Sequence, residues 1–170
     1  METTWDGLPV AREPPFAVCI VVWREVAVGR EFLVLHRLAP GGADYEGEWA
    51  WTPPSGARWP GEEPDEAARR ELHEETGLEL EPVAARAARA TEDAALYVAQ
   101  AATGDENRLD AEHDRFEWLP LEDALARCLP PVVAQELANA AAWLDATRGS
   151  QEPLSRNRHE AGTQPRENPR

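Results

Sequence analysis

Between Pro64 and Gly77 the chain has little choice of structure. Proline is tolerated in the first turn of a helix, where its missing N–H would have had no intrahelical partner, and glycine ends a helix readily in a left-handed conformation. A helix is therefore predicted over 64–76. Glu71, Glu74 and Glu75 lie on it at i, i+3 and i+4, so three carboxylates share one face within a turn. Unaided they repel, by roughly 0.2–0.5 kcal/mol for each like-charged i,i+4 pair. A divalent cation reverses the sign, and carboxylate oxygen is the hard ligand that Mg²⁺ and Mn²⁺ take. A solvated acidic face would show the same three residues, so the neighbours matter. Arg70 stands four residues from both Glu66 and Glu74 and can tether acids that must be held still; Ala68 and Leu72 are predicted to face a core. Gly56 precedes the helix in a turn where backbone can come close to a cation.

The remaining elements follow from apolar runs and punctuation. Residues 1–15 read as a loose, Pro-punctuated arm. Phe16 to Trp23 and Phe32 to Arg37 are predicted strands, joined through a longer loop at 24–31. Residues 38–48 form a Gly-rich loop, and Trp49 to Thr52 a short strand ahead of an extended turn at Pro53-Pro54-Ser55-Gly56. Val83 to Ala90, Ala95 to Ala101 and Arg115 to Leu119 are further strand candidates, the first two Ala-rich enough to compete as helix. Helices follow at 121–128 and 132–147, with Leu125, Leu129, Val133, Leu137 and Leu144 available as an apolar stripe. From Arg148 the sequence loses its apolar residues and is expected to be a disordered tail, leaving 16–147 as one domain.

Charge narrows the partners. The chain carries 32 acidic against 17 basic residues, a net charge of −15, and the basic groups are all arginine. That argues against a grip on duplex nucleic acid, which needs a basic footprint. An anionic substrate would need a cation to mediate its approach. Cys19 and Cys128 have no metal or redox spacing and are expected to be buried thiols. No segment is long and apolar enough for a membrane span, and the N-terminus lacks a basic-then-apolar leader, so a cytoplasmic protein is expected.

Gly56-Ala-Arg-Trp-Pro-Gly-Glu62 followed by Arg70-Glu71-Leu72-His73-Glu74-Glu75-Thr76-Gly77-Leu78 fits G-x5-E-x7-R-E-U-x-E-E-x-G-U at every fixed and every aliphatic (U) position. This resembles a Nudix box, and the chain is identified on that basis as similar to the Nudix hydrolases, MutT-like. The resemblance implies an α/β fold, an α/β/α sandwich with a mixed central sheet. It implies a reaction in which water attacks phosphorus in a nucleoside diphosphate linked to another group, with Mg²⁺ or Mn²⁺ as cofactor. Glu71, Glu74 and Glu75 would bind metal, and Glu71 or Glu75 would alternatively deprotonate the attacking water. The Gly56 carbonyl would be a further ligand, with Glu62 and Arg70 orienting the helix. Glu112-His-Asp-Arg-Phe-Glu117-Trp118 resembles the segment that supplies an additional carboxylate in the 8-oxo-dGTP-cleaving branch, which makes Glu112 a candidate metal ligand, with a solvated loop glutamate as the alternative. His113 could serve as a base, although a lone loop histidine is more often a surface residue, which is the expectation here.

Substrate choice lies outside the box. Arg37, at a strand end, is placed to meet a phosphate, with an ordinary exposed strand-end arginine as the equal alternative. Tyr45, Trp49 and Trp51 could stack on a base, although Trp49 and Trp51 sit close enough along a strand that at least one should be core. Trp23, Trp118 and Trp143 read as packing and Trp59 is undecided. The expected partner is a small nucleotide-type substrate, with a homodimer left open. A catalytically silent nucleotide-binding domain should have lost one of the glutamates, and a prenyl diphosphate isomerase should place a cysteine near the second strand rather than in the first. The intact box favours the hydrolase.

Overall fold

In the computed structural model, residues 3–4, 7–39, 41–86, 88 and 91–150 are described. Of the tail expected from Arg148, residues 148–150 continue the last helix and those from 151 onward lie outside the described residues, as do parts of the arm and of 83–90. The longest apolar run becomes β1 (Ala17–Val26), which pairs with β2 (Gly29–Arg37) across a tight turn at 27–28 instead of the longer loop expected; Gly29, at φ 126°, takes the backbone angle that the turn imposes. Then come β3 (Trp51–Thr52), β4 (Ser55–Ala57), α1 (Pro64–Thr76), β5 (Val83–Ala84), β6 (Ala94–Gln100), β7 (His113–Leu119), α2 (Leu121–Arg127) and α3 (Pro131–Ser150). The sheet runs β3-β2-β1-β6-β5, with β4 added to β1 and β7 to β2. It is mixed: β1 and β6 are parallel and the other pairs antiparallel.

Both faces of this sheet are covered, and for that reason β1 is apolar at nearly every position. Val18, Ile20 and Val22 turn to one side, where Ala67, Ala68 and Leu72 of α1 meet them. Cys19 and Val21 turn to the other, against Val133, Leu137, Ala140 and Leu144 of α3. The result is an α/β/α sandwich. The apolar stripe expected for the last two helices holds except at Leu129, which is 40% exposed between them. Alanine-rich β6 is a strand: it pairs in parallel with β1 along its length, and Leu96, Tyr97, Val98 and Ala99 are buried in succession, as in a strand covered on both faces. The other such candidate, 83–90, keeps only two residues of strand before turning. Among the described residues no helix is long and apolar enough to cross a membrane.

The ends of α1 decide where its glutamates point. Pro64 opens it, and the Glu66 carboxylate accepts the Glu63 N–H at 3.3 Å. Gly77 closes it at φ 68°, donating its N–H to the His73 carbonyl at 2.8 Å. Tyr97 Oη donates to Asp65 at 2.6 Å, pinning the first turn to β6. A Cβ on Gly77 would be strained by that φ and would press Arg108 at 3.2 Å. Gly77→Ala is therefore predicted to cost about 1–2 kcal/mol of folding stability in urea denaturation, while Gly104→Ala, with open space around it, leaves the midpoint unchanged.

Candidate active site

Arg70 organises the face that carries the acids. Its Nε and Nη2 donate to the two oxygens of Glu62 at 2.8 and 3.0 Å, its Nη1 to Glu71 Oε1 at 2.7 Å and Glu74 Oε2 at 3.1 Å, and its Nη2 also to the Ala57 carbonyl at 3.0 Å. The guanidinium lies 3.9 Å above the Trp59 ring, which settles the position of that residue: it is half exposed and carries Arg70 on its face. Glu62 also accepts the Trp59 N–H at 2.9 Å. Burial works to raise the Glu62 carboxyl, but Arg70 and the Trp59 N–H outweigh it and hold it below the usual range. The expected tether from Arg70 to Glu66 is absent. Glu66 is turned to the helix cap, and Arg70 bends away from the axis toward the loop and β4.

The three glutamates are not equivalent. Glu71 is nearly buried and lies directly over Gly56, where any Cβ would occupy the space of its carboxylate. Gly56 is not in the turn expected for it; it is in β4, and the lack of a side chain is what it contributes. Glu75 is 4% exposed, its Oε2 accepting the Ser55 N–H at 2.9 Å and its Oε1 standing 3.9 Å from Arg37 Nη2 and 3.8 Å from His113 Nε2. Burial raises both carboxyls, against the pull of Arg70 on Glu71 and of Arg37 on Glu75; Glu75 is pushed well above the usual range. Glu74 is half exposed and held through Arg70.

Outside α1 the structure rearranges the expected roles. Glu112 is exposed, and its carboxylate makes no hydrogen bond or ion pair among the described residues. His113, expected at the surface, is buried instead: Nδ1 meets Asp110 Oδ1 at 2.9 Å, and burial lowers its affinity for a second proton. Asp110 and Ser55 were not indicated by any spacing in the sequence, since a backbone N–H and a loop carboxylate leave no periodic trace.

Trp51 is 1% exposed, its Nε1–H donating to Glu46 at 2.6 Å and its ring met by His36 edge-on and by Arg115 and Arg127. It offers no face to a base. The Tyr45 ring lies against Gly41 and Gly47 of its own loop, where a Cβ would collide with it, and the Tyr45 carbonyl bonds His36 Nε2 at 2.7 Å. Tyr45 is therefore loop packing rather than a stacking platform. Trp49 is exposed, at φ 67°, its N–H donating to the Leu129 carbonyl. Arg37 and Trp49 both line a cavity of about 380 Å³ that reaches Ser55 and Gly56. Trp23, Trp118 and Trp143 pack against the two cores, as expected. Both cysteines are buried and free, their thiols pushed up by burial.

Residues 13–144 match the model of the NUDIX domain. The chain is 42% identical over 71 residues to an RNA pyrophosphohydrolase of Rhizobium meliloti (strain 1021), a match covering 40% of this chain and 41% of that protein's length. It is 29% identical over 119 residues to a bis(5'-nucleosyl)-tetraphosphatase (asymmetrical) of Caenorhabditis elegans, covering 64% of this chain and 81% of that protein. A crystal structure of a C. elegans Ap4A hydrolase binary complex superposes with a TM-score of 0.59 at 26% identity, over 76% of this chain and 97% of that one. With the box residues gathered on α1 and β4, and with a family match spanning both layers of helices, the chain belongs to the NUDIX family of hydrolases.

Proposed function

We propose that this Nudix hydrolase cleaves a phosphoanhydride bond in a small nucleoside polyphosphate, with Mg²⁺ or Mn²⁺ held by Glu71, Glu74, Glu75 and the Gly56 carbonyl. The observation that carries the reading is the pair of buried carboxylates, Glu71 and Glu75, crowded against β4. Burying charge without a counter-charge is costly, and Arg70 answers for only part of it. Arg70 takes one oxygen of Glu71 and one of Glu74, so each keeps a second oxygen for a cation. The donor set is all hard oxygen, which fits these ions. Among the described residues no three His, Cys, Asp or Glu side chains stand together closely enough to hold a metal ion by themselves, so an ion bound here would need ligands from backbone, water and phosphate as well. Bound there, the ion would lower the pKa of a coordinated water and neutralise charge on the phosphate oxygens.

The protein's own groups divide the remaining work. Glu71 Oε1 is occupied by Arg70, whereas Glu75 Oε1 faces Arg37 and His113 with neither in hydrogen-bond range. Glu75, with its raised proton affinity, is thus the better acceptor for the proton of the attacking water. Glu62 and Arg70 set the position of Glu71 and Glu74 without touching substrate. Arg37, in the wall of the cavity beside Glu75, is placed for a phosphate oxygen. The relatives named as an RNA pyrophosphohydrolase and as a bis(5'-nucleosyl)-tetraphosphatase suggest the first substrates to try.

Two measurements follow. With Mg²⁺ or Mn²⁺, the protein is expected to turn over at least one of the nucleoside triphosphates, a dinucleoside tetraphosphate, ADP-ribose or a 5'-triphosphorylated RNA oligonucleotide, with products identified by phosphorus NMR and turnover stopped by EDTA. Failure on the whole panel would sink the hydrolase reading. Glu75→Gln should lower kcat by on the order of 10²–10³, yet stabilise the metal-free protein. The sign follows from the raised carboxyl: the folded state binds the proton more tightly than the unfolded one, so stability is full below the ordinary value of 4.5 and is lost as pH rises toward the folded value. Above that window the wild type should melt below Glu75→Gln in EDTA, and added Mg²⁺ should narrow the gap. A metal-free wild type that melts above the variant at pH 8 contradicts this.

A further inference from the structure

The groups assigned so far leave out His113. Its side chain is wholly out of solvent, yet Nε2 has no hydrogen-bond partner among the described residues. The other ring nitrogen fixes the tautomer. Asp110 Oδ1 accepts the Glu112 N–H at 3.1 Å and stands 2.9 Å from Nδ1, so Nδ1 carries the hydrogen and donates it to that oxygen. Nε2 is left with a bare lone pair, 3.8 Å from Glu75 Oε1, the oxygen of Glu75 that does not take the Ser55 N–H. A β-bulge puts it there. β2 and β7 pair in step from Phe32 with Leu119 to His36 with Arg115, and then Arg37 pairs with His113. Asp114 is the extra residue, and its carboxylate turns to His36 Nδ1 at 2.6 Å. Cross-strand partners share one side of a sheet, so Arg37 and His113 reach Glu75 Oε1 together, Arg37 Nη2 at 3.9 Å. In an unbroken register Asp114 would stand opposite Arg37, and His113 would point to the other face.

We propose that His113 is a catalytic residue that aims the attacking water, its Nε2 accepting one O–H while Glu75 Oε1 accepts the other. This rests on the hydrolase reading for the water and the phosphate. Two bare acceptors 3.8 Å apart are too far for a direct bond and near enough for one water to donate to both, each such bond spanning about 2.8 Å. Held by Glu75 alone, the water could swing about a single O–H bond. Held by both, its lone pairs face away from the two acceptors, on the side where Arg37 would hold the phosphate. In the step itself the water oxygen bonds to phosphorus as the bridging P–O bond breaks, and the leaving oxygen departs with the electron pair. The proton facing Glu75 passes to its carboxylate, and the one facing His113 stays on the new phosphate. His113 therefore orients the nucleophile and takes no proton.

Two substitutions divide the ring. Asparagine reaches only as far as Nδ1 and can keep the N–H to Asp110, whereas glutamine reaches Nε2 and can present a carbonyl to the water. On whichever substrate of the panel turns over fastest, His113→Asn is expected to lose about 10- to 100-fold in kcat with KM little changed, the cost of a misaimed nucleophile, while melting close to the wild type. His113→Gln is expected to melt lower yet keep most of kcat. A histidine that only packs predicts the reverse order, activity following stability, and that order overturns the proposal, as does an unchanged kcat in His113→Asn. The wild type supplies a measurement that no folding defect can disturb. With isotope-labelled histidine, two-bond proton–nitrogen correlations in the metal-free full-length protein at neutral pH should place the His113 hydrogen on Nδ1; a hydrogen on Nε2, or on both nitrogens, overturns the proposal. Turnover of no member of the panel would sink the hydrolase reading and this assignment with it. Turnover that His113→Asn leaves intact would remove His113 alone and leave the hydrolase standing.

Discussion

Arg70 is the residue on which the geometry of the acidic face depends. One guanidinium reaches the loop at Glu62, the strand at Ala57 and its own helix at Glu71 and Glu74, while stacking on Trp59. Five directed contacts from a planar group fix its orientation, and through it the separation between α1 and β4. A lysine could hold one or two of these acids as a point charge, but it could not hold a carboxylate bidentately and a carbonyl at once. Glu62 and Arg70 are about as far from solvent as Glu71, so this part of the network is not the exposed kind of ion pair worth little; the half-exposed Glu74 is its outer member.

The other half of the geometry is set by register. Cys19 pairs with Ser55, and Val18 with Gly56, along β1. That pairing brings the Ser55 N–H to Glu75 Oε2 and places the bare Cα of Gly56 under Glu71. A slip of one residue would put the side chain of Ser55 or Ala57 where Gly56 is, and Glu71 would have nowhere to go. β4 is too short to hold its register by itself. It is held by the helix it faces: Glu75 accepts the Ser55 N–H, the Glu71 carboxylate fills the space over Gly56, and Arg70 donates to the Ala57 carbonyl. The precision of a three-residue strand is therefore borrowed from α1.

This explains what could be read from the sequence and what could not. The limits of α1, the two long strands, the box and the buried cysteines follow from local rules, namely proline and glycine punctuation, alternation and spacing. Helical spacing correctly places Glu74 beside Arg70, yet it also offers Glu66, and only the position of β4 decides that Arg70 turns toward Glu62. Alternation says that Trp49 or Trp51 is buried without saying which; the hydrogen bond to Glu46 and the left-handed backbone at Trp49 decide it. His113 looked like a surface residue because nothing local marks a strand start that folds beneath a helix. Glu112, one residue earlier, points out for the same reason that His113 points in.

The chain's overall acidity takes on local meaning at this face. Glu62, Glu71, Glu74, Glu75 and Asp110 are met there by the guanidiniums of Arg37 and Arg70, with His113 favoured neutral by burial. Five carboxylates against two cations leave an excess of negative charge that the protein itself does not cancel. Elsewhere an arginine meets a single acid, as Arg24 meets Glu31 and Arg69 meets Glu81, or arginines and acids alternate in a chain, as in Asp114, Arg115, Glu46, Arg127 and Glu117. The imbalance has two remedies. Burial first, and then the neighbouring Glu71 and Asp110, raise the proton affinity of Glu75, so a proton there relieves part of the excess. On the function proposed above, a divalent cation would relieve it more fully and would also let a polyphosphate approach a face that otherwise carries its own sign, so that cation and substrate would be coupled through the same uncompensated charge.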